Sequence, residues 1–231
     1  MHHDSGKGKK PAAEIVQAFL APVKLMKFTL TYDGELKATG NHSRRVREKW
    51  QIRKSLVPQL IKLWNTHPAL MGLAIVLPQP LHMYPVARPT EIVSDYGLKQ
   101  ELSRPVTIGD KEFLPLVRAS LRLACSLNIN FLRQDEPGAL IIPGGDIDNR
   151  LKTLFDALSI PEAQDVAEAG EELMQPFPCL LEKDSLITGV NVTTDRLLTK
   201  PDASPSEVRL TIQVEVSIMQ ITASNIGFIG N

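Results

Sequence analysis

Two stretches of alternating residues decide the fold of this 231-residue chain: LRLACSLNINF at Leu121–Phe131 and VRLTIQVEVSI at Val208–Ile218. In both, apolar residues occupy every second position, and most of the positions between them are polar. Because successive side chains of a β-strand point to opposite faces of its sheet, the pattern predicts two long strands with one buried face each. Cys125 falls on the apolar side of the first strand, so we expect a buried small side chain rather than a nucleophile.

A third strand and a long helix complete the predicted core. Leu25–Tyr32 alternates in the same way, and Asp33-Gly34 has the composition of a turn. From Ser43, a favoured helix cap, to Trp64, apolar residues recur at helical spacing, and Pro58 is expected to kink or split this helix. The expected fold class is α+β, a single domain with a mixed or antiparallel sheet and covering helices.

The composition excludes several classes of protein. Apolar residues make up 43% and charged residues 23% of the chain, which is ordinary globular usage and not that of collagen-like or wholly disordered chains. Two cysteines are too few for a disulfide framework, which favours a reducing compartment and a cytoplasmic location. We expect no signal peptide, because the first ten residues are polar and the apolar stretch after them is short and interrupted, and no run of about 18 apolar residues occurs, so no membrane partner is expected.

The balanced total of 26 basic and 26 acidic residues hides a split along the chain. Residues 1–64 hold 13 Lys and Arg against 5 Asp and Glu, whereas residues 65–231 hold 13 against 21. The densest basic patch lies in the first half of the predicted helix and consists of Arg44, Arg45, Arg47, Lys49, Arg53 and Lys54. Such a patch is typical of DNA binding, and a solvated helix face is the alternative.

The stretch PGGDIDNRLKTLFDAL at residues 143–158 carries the candidate chemistry. Its apolar positions predict a helix beginning near Asp148 or Asn149, with Asp146 and Asp148 in an extended lead-in that lets both side chains point the same way. Lys152 and Asp156 follow at spacings of four, so they stack with Asp148 along one flank of the helix.

Two interpretations of this flank stay open from the pattern alone. Asp and Asn are favoured helix caps, and an exposed Asp–Lys pair adds only about 0.3 to 0.5 kcal/mol, so capping and surface ion pairs account for most of it. A divalent-metal site is the other interpretation, with Asn149 either orienting a ligand or capping the helix. Gly144-Gly145 lacks the Lys-Ser/Thr ending of a phosphate-binding loop, so no nucleotide cofactor is expected.

The order Asp146-Ile147-Asp148-Asn149, then Lys152, then Asp156-Ala157-Leu158 resembles the Asp-x-Asp-Asn-x-x-Lys-x-x-x-Asp-Ala-Leu signature of RusA-type Holliday junction endonucleases. The specific part of the resemblance covers residues 143–158, within a broader likeness over about residues 25–220. In that family a further acidic residue opens a strand after the helix, and here it would be Asp184.

The resemblance implies a RusA-like domain at residues 25–222, between an N-terminal arm at 1–24 and a tail at 223–231, with insertions near 78–112 and 159–183. It also implies a homodimer that acts on branched or junction DNA. Asp146, Asp148 and Asp184 would bind Mg²⁺, for which Mn²⁺ is a substitute, Lys152 would stabilise developing negative charge, and Asn149 and Asp156 would support them. The alternatives are a catalytically inactive nucleic-acid-binding protein and a Mg²⁺-dependent hydrolase of small phosphates.

Overall fold

Both alternating stretches lie in strands at the centre of one sheet, except that Leu121 and Arg122 belong to the turn before the first of these strands. The structure, a computed structural model, describes residues 22–37, 42–71, 101–134, 146–168, 173–198, 204, 206–222 and 224–228. Its strands are β1 (Val23–Glu35), β2 (Val106–Ile108), β3 (Lys111–Val117), β4 (Leu123–Arg133), β5 (Phe177–Leu181), β6 (Ile187–Arg196) and β7 (Glu207–Ile218). Its helices are α1 (His42–Thr66), α2 (Pro68–Met71), α3 (Asp146–Leu158) and α4 (Ala163–Ala167), with 3-10 turns at Asp184–Leu186 and Ile226–Phe228.

The described strands form two mixed sheets. The larger has the order β1-β7-β4-β6, in which β7 is antiparallel to both neighbours and β4 is parallel to β6. The smaller has the order β2-β3-β5, with an antiparallel hairpin between β2 and β3 and a parallel pairing of β3 with β5. The expectation of an α+β domain is confirmed.

The helices α1 and α3 cover one face of the larger sheet. Leu56, Leu60 and Trp64 of α1 share one core with Leu154 of α3 and the inward residues of β1, β4 and β7. Burial of this many aliphatic side chains supplies most of the favourable free energy of such a fold, at about 25 cal/mol for each Å² of apolar surface. The helix that carries the candidate chemistry therefore packs directly on this core.

A smaller core forms where α1 meets the smaller sheet and α4. It contains Trp50 of α1, Phe113 of β3, Val166 of α4 and Phe177 of β5. The ring of Phe177 makes edge-on contacts with Trp50 at 5.8 Å and with Phe113 at 6.0 Å between ring centres. The described part of the predicted insertion, residues 159–168 and 173–183, thus packs against the first half of α1.

The predicted turn at Asp33-Gly34 is wrong, because β1 continues through both residues to Glu35. Its partner β7 is long enough to pair with Gly34 through Val208 and with Glu35 through Glu207. A glycine is needed there for a different reason, since a Cβ at Gly34 would lie 2.7 Å from the hydroxyl oxygen of Tyr32. The glycine permits a close side-chain approach within a strand.

Pro58 does not split the helix, because α1 is one helix with Pro58 inside it. Pro58 is exposed, so its ring lies on the solvent side of the helix. Beside it, the Gln59 side chain accepts a hydrogen bond from the backbone N–H of Thr31 at 2.9 Å and donates one to the backbone oxygen of Thr31 at 2.7 Å. Gln59 therefore ties the second half of α1 to β1.

None of the helices in the described ranges is long and apolar enough to cross a membrane.

Candidate active site

Helix α3 presents a polar flank to solvent. It begins at Asp146, and its apolar residues Leu154 and Leu158 are buried in the core. Asp148 and Lys152 are exposed and Asp156 is half-buried, and the three residues follow each other at intervals of four. This spacing places them on one side of the helix, as the sequence predicted.

The predicted extended lead-in to this helix is wrong. Asp146 and Asp148 both belong to the first turn of α3, whereas the prediction placed the helix start at Asp148 or Asn149. Since an α-helix turns by about 100° per residue, the two positions lie about 200° apart around the axis. The pair therefore does not share one side of the backbone as it would in a strand, and the side chain of Asp146 lies outside the described residues.

Asn149 does not cap the helix, because α3 already begins three residues before it. Its side chain is exposed, and its backbone oxygen accepts a hydrogen bond from the Thr153 hydroxyl at 3.0 Å. The capping interpretation of Asn149 is thus wrong.

Asp184 opens a 3-10 turn that follows β5 and contacts α3. Its side chain is exposed, and its negative charge helps to raise the pKa of Asp156. Burial is the main cause of that raised pKa, while Lys49 and Lys152 act in the opposite direction. Asp184 is therefore an electrostatic neighbour of Asp156, at the later end of α3.

The structure brings Asp184 to α3 but does not gather the predicted acidic trio among the described side chains. Asp148 precedes Asp156 by eight residues, which is a rise of about 12 Å along a helix. Within the ranges that the structure describes, no three His, Cys, Asp or Glu residues are grouped so as to hold a metal ion. The remaining member of the predicted trio is Asp146, whose side chain is not among them.

Buried arginines hold α3 near both of its ends. Arg150 of α3 is 5% exposed and donates a hydrogen bond to the backbone oxygen of Leu36, just after β1. At the other end, Arg53 of α1 donates to the backbone oxygen of Asp156 at 2.7 Å and to that of Ser159 at 3.4 Å. The polar flank of α3 is thus presented by a helix with fixed attachments.

Arg53 is a correction to the predicted DNA-binding set. It is only 3% exposed, and its guanidinium lies over the ring of Trp50 at 5.1 Å. Burial lowers its pKa, while interactions with Cys179, Asp165 and Asp156 oppose that change. An arginine enclosed in this way contacts the protein's own groups, so Arg53 does not contact DNA phosphates.

Lys49 is the second correction. Its ammonium lies 2.5 Å from Oδ2 of Asp165, and its side chain is only 12% exposed. Arg45, Arg47 and Lys54 are exposed, so these members of the set stay candidates for phosphate contact. The side chain of Arg44 lies outside the described residues.

Sequence reasoning missed two residues next to this surface. Lys62 is exposed on α1, eight residues after Lys54, and so extends the basic side of the helix. Asp165 of α4 is 1% exposed and pairs with Lys49 and Arg53. The sequence did contain a signal for this. Lys49 and Arg53 are four residues apart and flank the apolar residue Trp50, so they lie at the edge of the buried face of α1.

Glu48 is the acidic residue within the basic stretch, and it faces inward. It is 4% exposed, and burial raises its pKa, an effect that Lys37 and Arg150 oppose and Glu35 adds to. Its Oε1 atom has no hydrogen-bond partner among the described groups. The residue therefore contributes a buried carboxyl between α1, α3 and the end of β1.

Neither cysteine is a nucleophile candidate. Cys125 and Cys179 are buried, and burial raises the pKa of each thiol to about 12. Since the thiolate is the reactive form, both are inert at neutral pH. The expectation for Cys125 is confirmed.

Comparison with protein-family models, with curated proteins and with solved structures finds no match to this chain. The function therefore has to be argued from the residues themselves.

Proposed function

We propose that the protein is a Mg²⁺-dependent, structure-selective DNA endonuclease that hydrolyses phosphodiester bonds in branched DNA such as a Holliday junction. The observation that carries the proposal is the polar flank of α3, where Asp148 and Lys152 are exposed on a helix that the 3-10 turn beginning with Asp184 contacts near its later end. The resemblance of residues 143–158 to the RusA-type signature gives this flank its nuclease interpretation.

The donor chemistry of the flank fits a hard cation. Mg²⁺ takes oxygen ligands, commonly one or two carboxylates with water and phosphate oxygens completing the shell, and Mn²⁺ accepts the same donors. Asp148 and Asp184 offer exposed carboxylates, and Asp146 at the start of α3 would complete the set. When bound, the ion supplies Lewis-acid polarisation of a phosphoryl oxygen and a coordinated water of lowered pKa.

Lys152 gives the flank its second function. Lys152 is exposed, and its position on α3 is one helical turn from both Asp148 and Asp156. There it stabilises negative charge that develops on the phosphoryl oxygens during displacement. Asp156 is half-buried and its charge interacts with that of Lys152, so we assign it a supporting role beside the ammonium rather than that of a ligand.

The exposed basic residues of α1 would hold the nucleic acid. Arg45, Arg47 and Lys54 neutralise backbone phosphates, an interaction that does not depend on base sequence and weakens with salt. Arg44 belongs to the same proposal through its place in the first turn of α1. A homodimer suits the substrate, because two-fold symmetry lets two sites cut the two strands of a four-way junction.

A non-catalytic DNA-binding protein is the second candidate. It is favoured by the helical placement of Asp146 and Asp148, which separates the two carboxylate positions around the axis of α3. In that case the basic residues of α1 bind DNA and the flank of α3 is only a charged surface. The endonuclease would cut branched DNA and need Asp148 to do so, whereas the non-catalytic protein would bind the DNA without cutting it.

The deciding experiment is cleavage of labelled four-way junction, flap and linear duplex DNA with Mg²⁺ and with EDTA. We expect Mg²⁺-dependent cutting of branched DNA that falls by at least about a hundredfold in Asp148→Asn, since Asp148 would be a ligand of the ion that stabilises transition-state charge. Asp110→Asn is the matched control, because Asp110 is exposed in the turn between β2 and β3.

Metal-dependent cutting that Asp148→Asn retains would overturn the assignment of the site. Binding of junction DNA without any cutting would support the non-catalytic candidate. Hydrolysis of small phosphate esters without binding of DNA would instead favour a small-phosphate hydrolase.

A further inference from the structure

Strand β6 forms an outer edge of the larger sheet that suits pairing with a further strand. It lies beside β4, and none of the described strands lies beyond it. From Ile187 to Thr194 it contains no charged residue and no proline. Edge strands of natural proteins commonly carry such residues, because they disfavour the addition of another strand. Over this stretch, the edge of β6 therefore lacks two of the usual protections.

The opposite edge of the same sheet is different. Strand β1 carries four charged residues, and all of them are exposed: Lys24, Lys27, Asp33 and Glu35. A strand that paired with this edge would have to remove water from charged side chains, which is unfavourable. Of the two outer strands, β6 is therefore the better suited to accept a partner.

Val190, near the middle of β6, is an apolar side chain with little cover. It is paired with Leu127 of β4, so it lies on the face of the sheet that carries the core. Val190 is nevertheless 44% exposed, whereas Leu127 is 2% exposed. Val192, the next residue of β6 on this face, is half-buried and packs against the core. A strand added beyond β6 would cover Val190 and extend the apolar face.

A second copy of β6 is complementary to this edge. The regular part of the strand begins at Gly189, because the pairing with β4 shifts register between Cys125 and Ser126. If two copies meet antiparallel with Asn191 opposite itself, Val190 of each copy lies opposite the partner's Val192. Each exposed valine then gains an apolar cross-strand neighbour, and the paired stretch brings no like charges together.

We propose that the protein forms a two-fold homodimer in which the β6 strands of two copies pair antiparallel about Asn191, so that the two larger sheets become one continuous sheet. This interface gives a location to the homodimer that is part of the proposed function, and it rests on that function only for the expectation of two copies. It needs neither metal binding nor cutting, because it is argued from the edge of the sheet.

The first test is self-association of the full chain, measured by analytical ultracentrifugation over a wide range of protein concentrations. We expect a wild-type dimer. Val190→Lys puts a charge into the interface from each copy, so the dimer should dissociate at least about tenfold more readily. Met219→Lys is the matched control, because Met219 is 45% exposed but follows β7 instead of lying on β6. It should leave the dimer affinity unchanged.

Cross-linking tests the register of the two strands. Asn191 is exposed, and Asn191→Cys would place two thiols opposite each other, with Cα atoms about 4.5 to 5.5 Å apart. That separation permits a disulfide, and both native cysteines are buried. We expect a disulfide-linked dimer on mild oxidation. Thr29→Cys is the control, because Thr29 is exposed on β1 and should not form such a dimer.

Three results would overturn the inference. The first is a wild-type protein that stays monomeric at every concentration, which would leave the edge of β6 for a strand of another protein. The second is a dimer that Val190→Lys forms as tightly as the wild type. The third, which decides even if Val190→Lys does not fold, is an Asn191→Cys dimer that gives no disulfide.

Failure of the proposed nuclease is distinguishable from failure of this inference. A dimer that depends on Val190 and never cuts DNA refutes the nuclease and supports the β6 interface. A protein that cuts branched DNA, but whose dimer affinity is unaffected by Val190→Lys, refutes the interface alone.

Discussion

The basic residues of α1 divide into two groups that look alike in the sequence. Lys49 and Arg53 are enclosed and pair with Asp165, whereas Arg45, Arg47 and Lys54 are exposed. The buried pair lies beside Trp50, and the exposed ones lie around the rest of the helix surface. The density of positive charge in a stretch of sequence therefore does not tell how many of its basic side chains are exposed. The position of each residue around the helix determines that.

Arg53→Met should have the largest effect on stability. It removes the two hydrogen bonds to the end of α3 and leaves Asp165 with Lys49 as its remaining cation. Breaking a buried ion pair from one side costs about 3 to 5 kcal/mol in the free energy of unfolding. Urea denaturation followed by circular dichroism measures the loss.

Arg47→Met is the control for that measurement, since it makes the same chemical change at an exposed position of α1. It should change the free energy of unfolding by less than about 0.5 kcal/mol. Equal losses of unfolding free energy in Arg53→Met and Arg47→Met would contradict the distinction between buried and exposed basic residues of α1.

The salt dependence of DNA binding should follow the exposed group. If Arg47 and Lys54 each neutralise a phosphate, the double substitution to Ala should reduce the slope of log affinity against log salt by about 1.8 in magnitude. That corresponds to roughly a tenfold smaller loss of affinity between 50 and 200 mM salt. Fluorescence anisotropy with labelled junction DNA in EDTA measures the slope.

Lys24→Ala serves as the comparison, because Lys24 is exposed on β1 and pairs with Glu215 rather than belonging to α1. Its slope should equal that of the wild type. An unchanged slope in the double variant would remove α1 from the DNA-binding surface.

The pH dependence of stability should report the buried acid of α1. Because the pKa of Glu48 is raised above its ordinary 4.5, the folded protein binds this proton more tightly than the unfolded chain. The contribution of Glu48 to the free energy of unfolding therefore falls as pH rises from about 4.5, by at most about 1.4 kcal/mol per pH unit. Glu48→Gln removes this fall, so its stability relative to the wild type should increase from acid toward neutral pH.

Urea denaturation at a series of pH values between acid and neutral gives the difference, with Asp110→Asn as an exposed control. A constant difference between Glu48→Gln and the wild type across that range would contradict the burial of an ionisable carboxyl at this position.

Periodicity made the main elements of the fold predictable. The alternation of Leu121–Phe131 and Val208–Ile218 identified β4 and β7, because only a half-buried strand repeats every second residue. The hydrophobic spacing from Ser43 to Trp64 identified α1 for the corresponding reason. Each of these signals is local, so it is present in the sequence itself.

The rest depended on contacts between distant parts of the chain. Asp165 is one acid among several in its segment, and its burial follows from packing against Trp50, which lies 115 residues earlier. The start of α3 was misplaced because Asp148 and Asn149 have capping composition, yet the helix begins at Asp146. Composition gives preferences for a helix end, and tertiary packing selects among them.

The amide of Gln59 has a consequence for the behaviour of the protein in concentrated solution. Among the described strands, β1 is an outer strand of the larger sheet, and outer strands offer unpaired backbone groups to which other chains can add, the first step of edge-to-edge aggregation. By occupying the N–H and the carbonyl of Thr31, Gln59 blocks the middle of that edge with a side chain that imitates a neighbouring strand. The side-chain amide of Gln59 thus helps to prevent other copies of the protein from adding strands to β1.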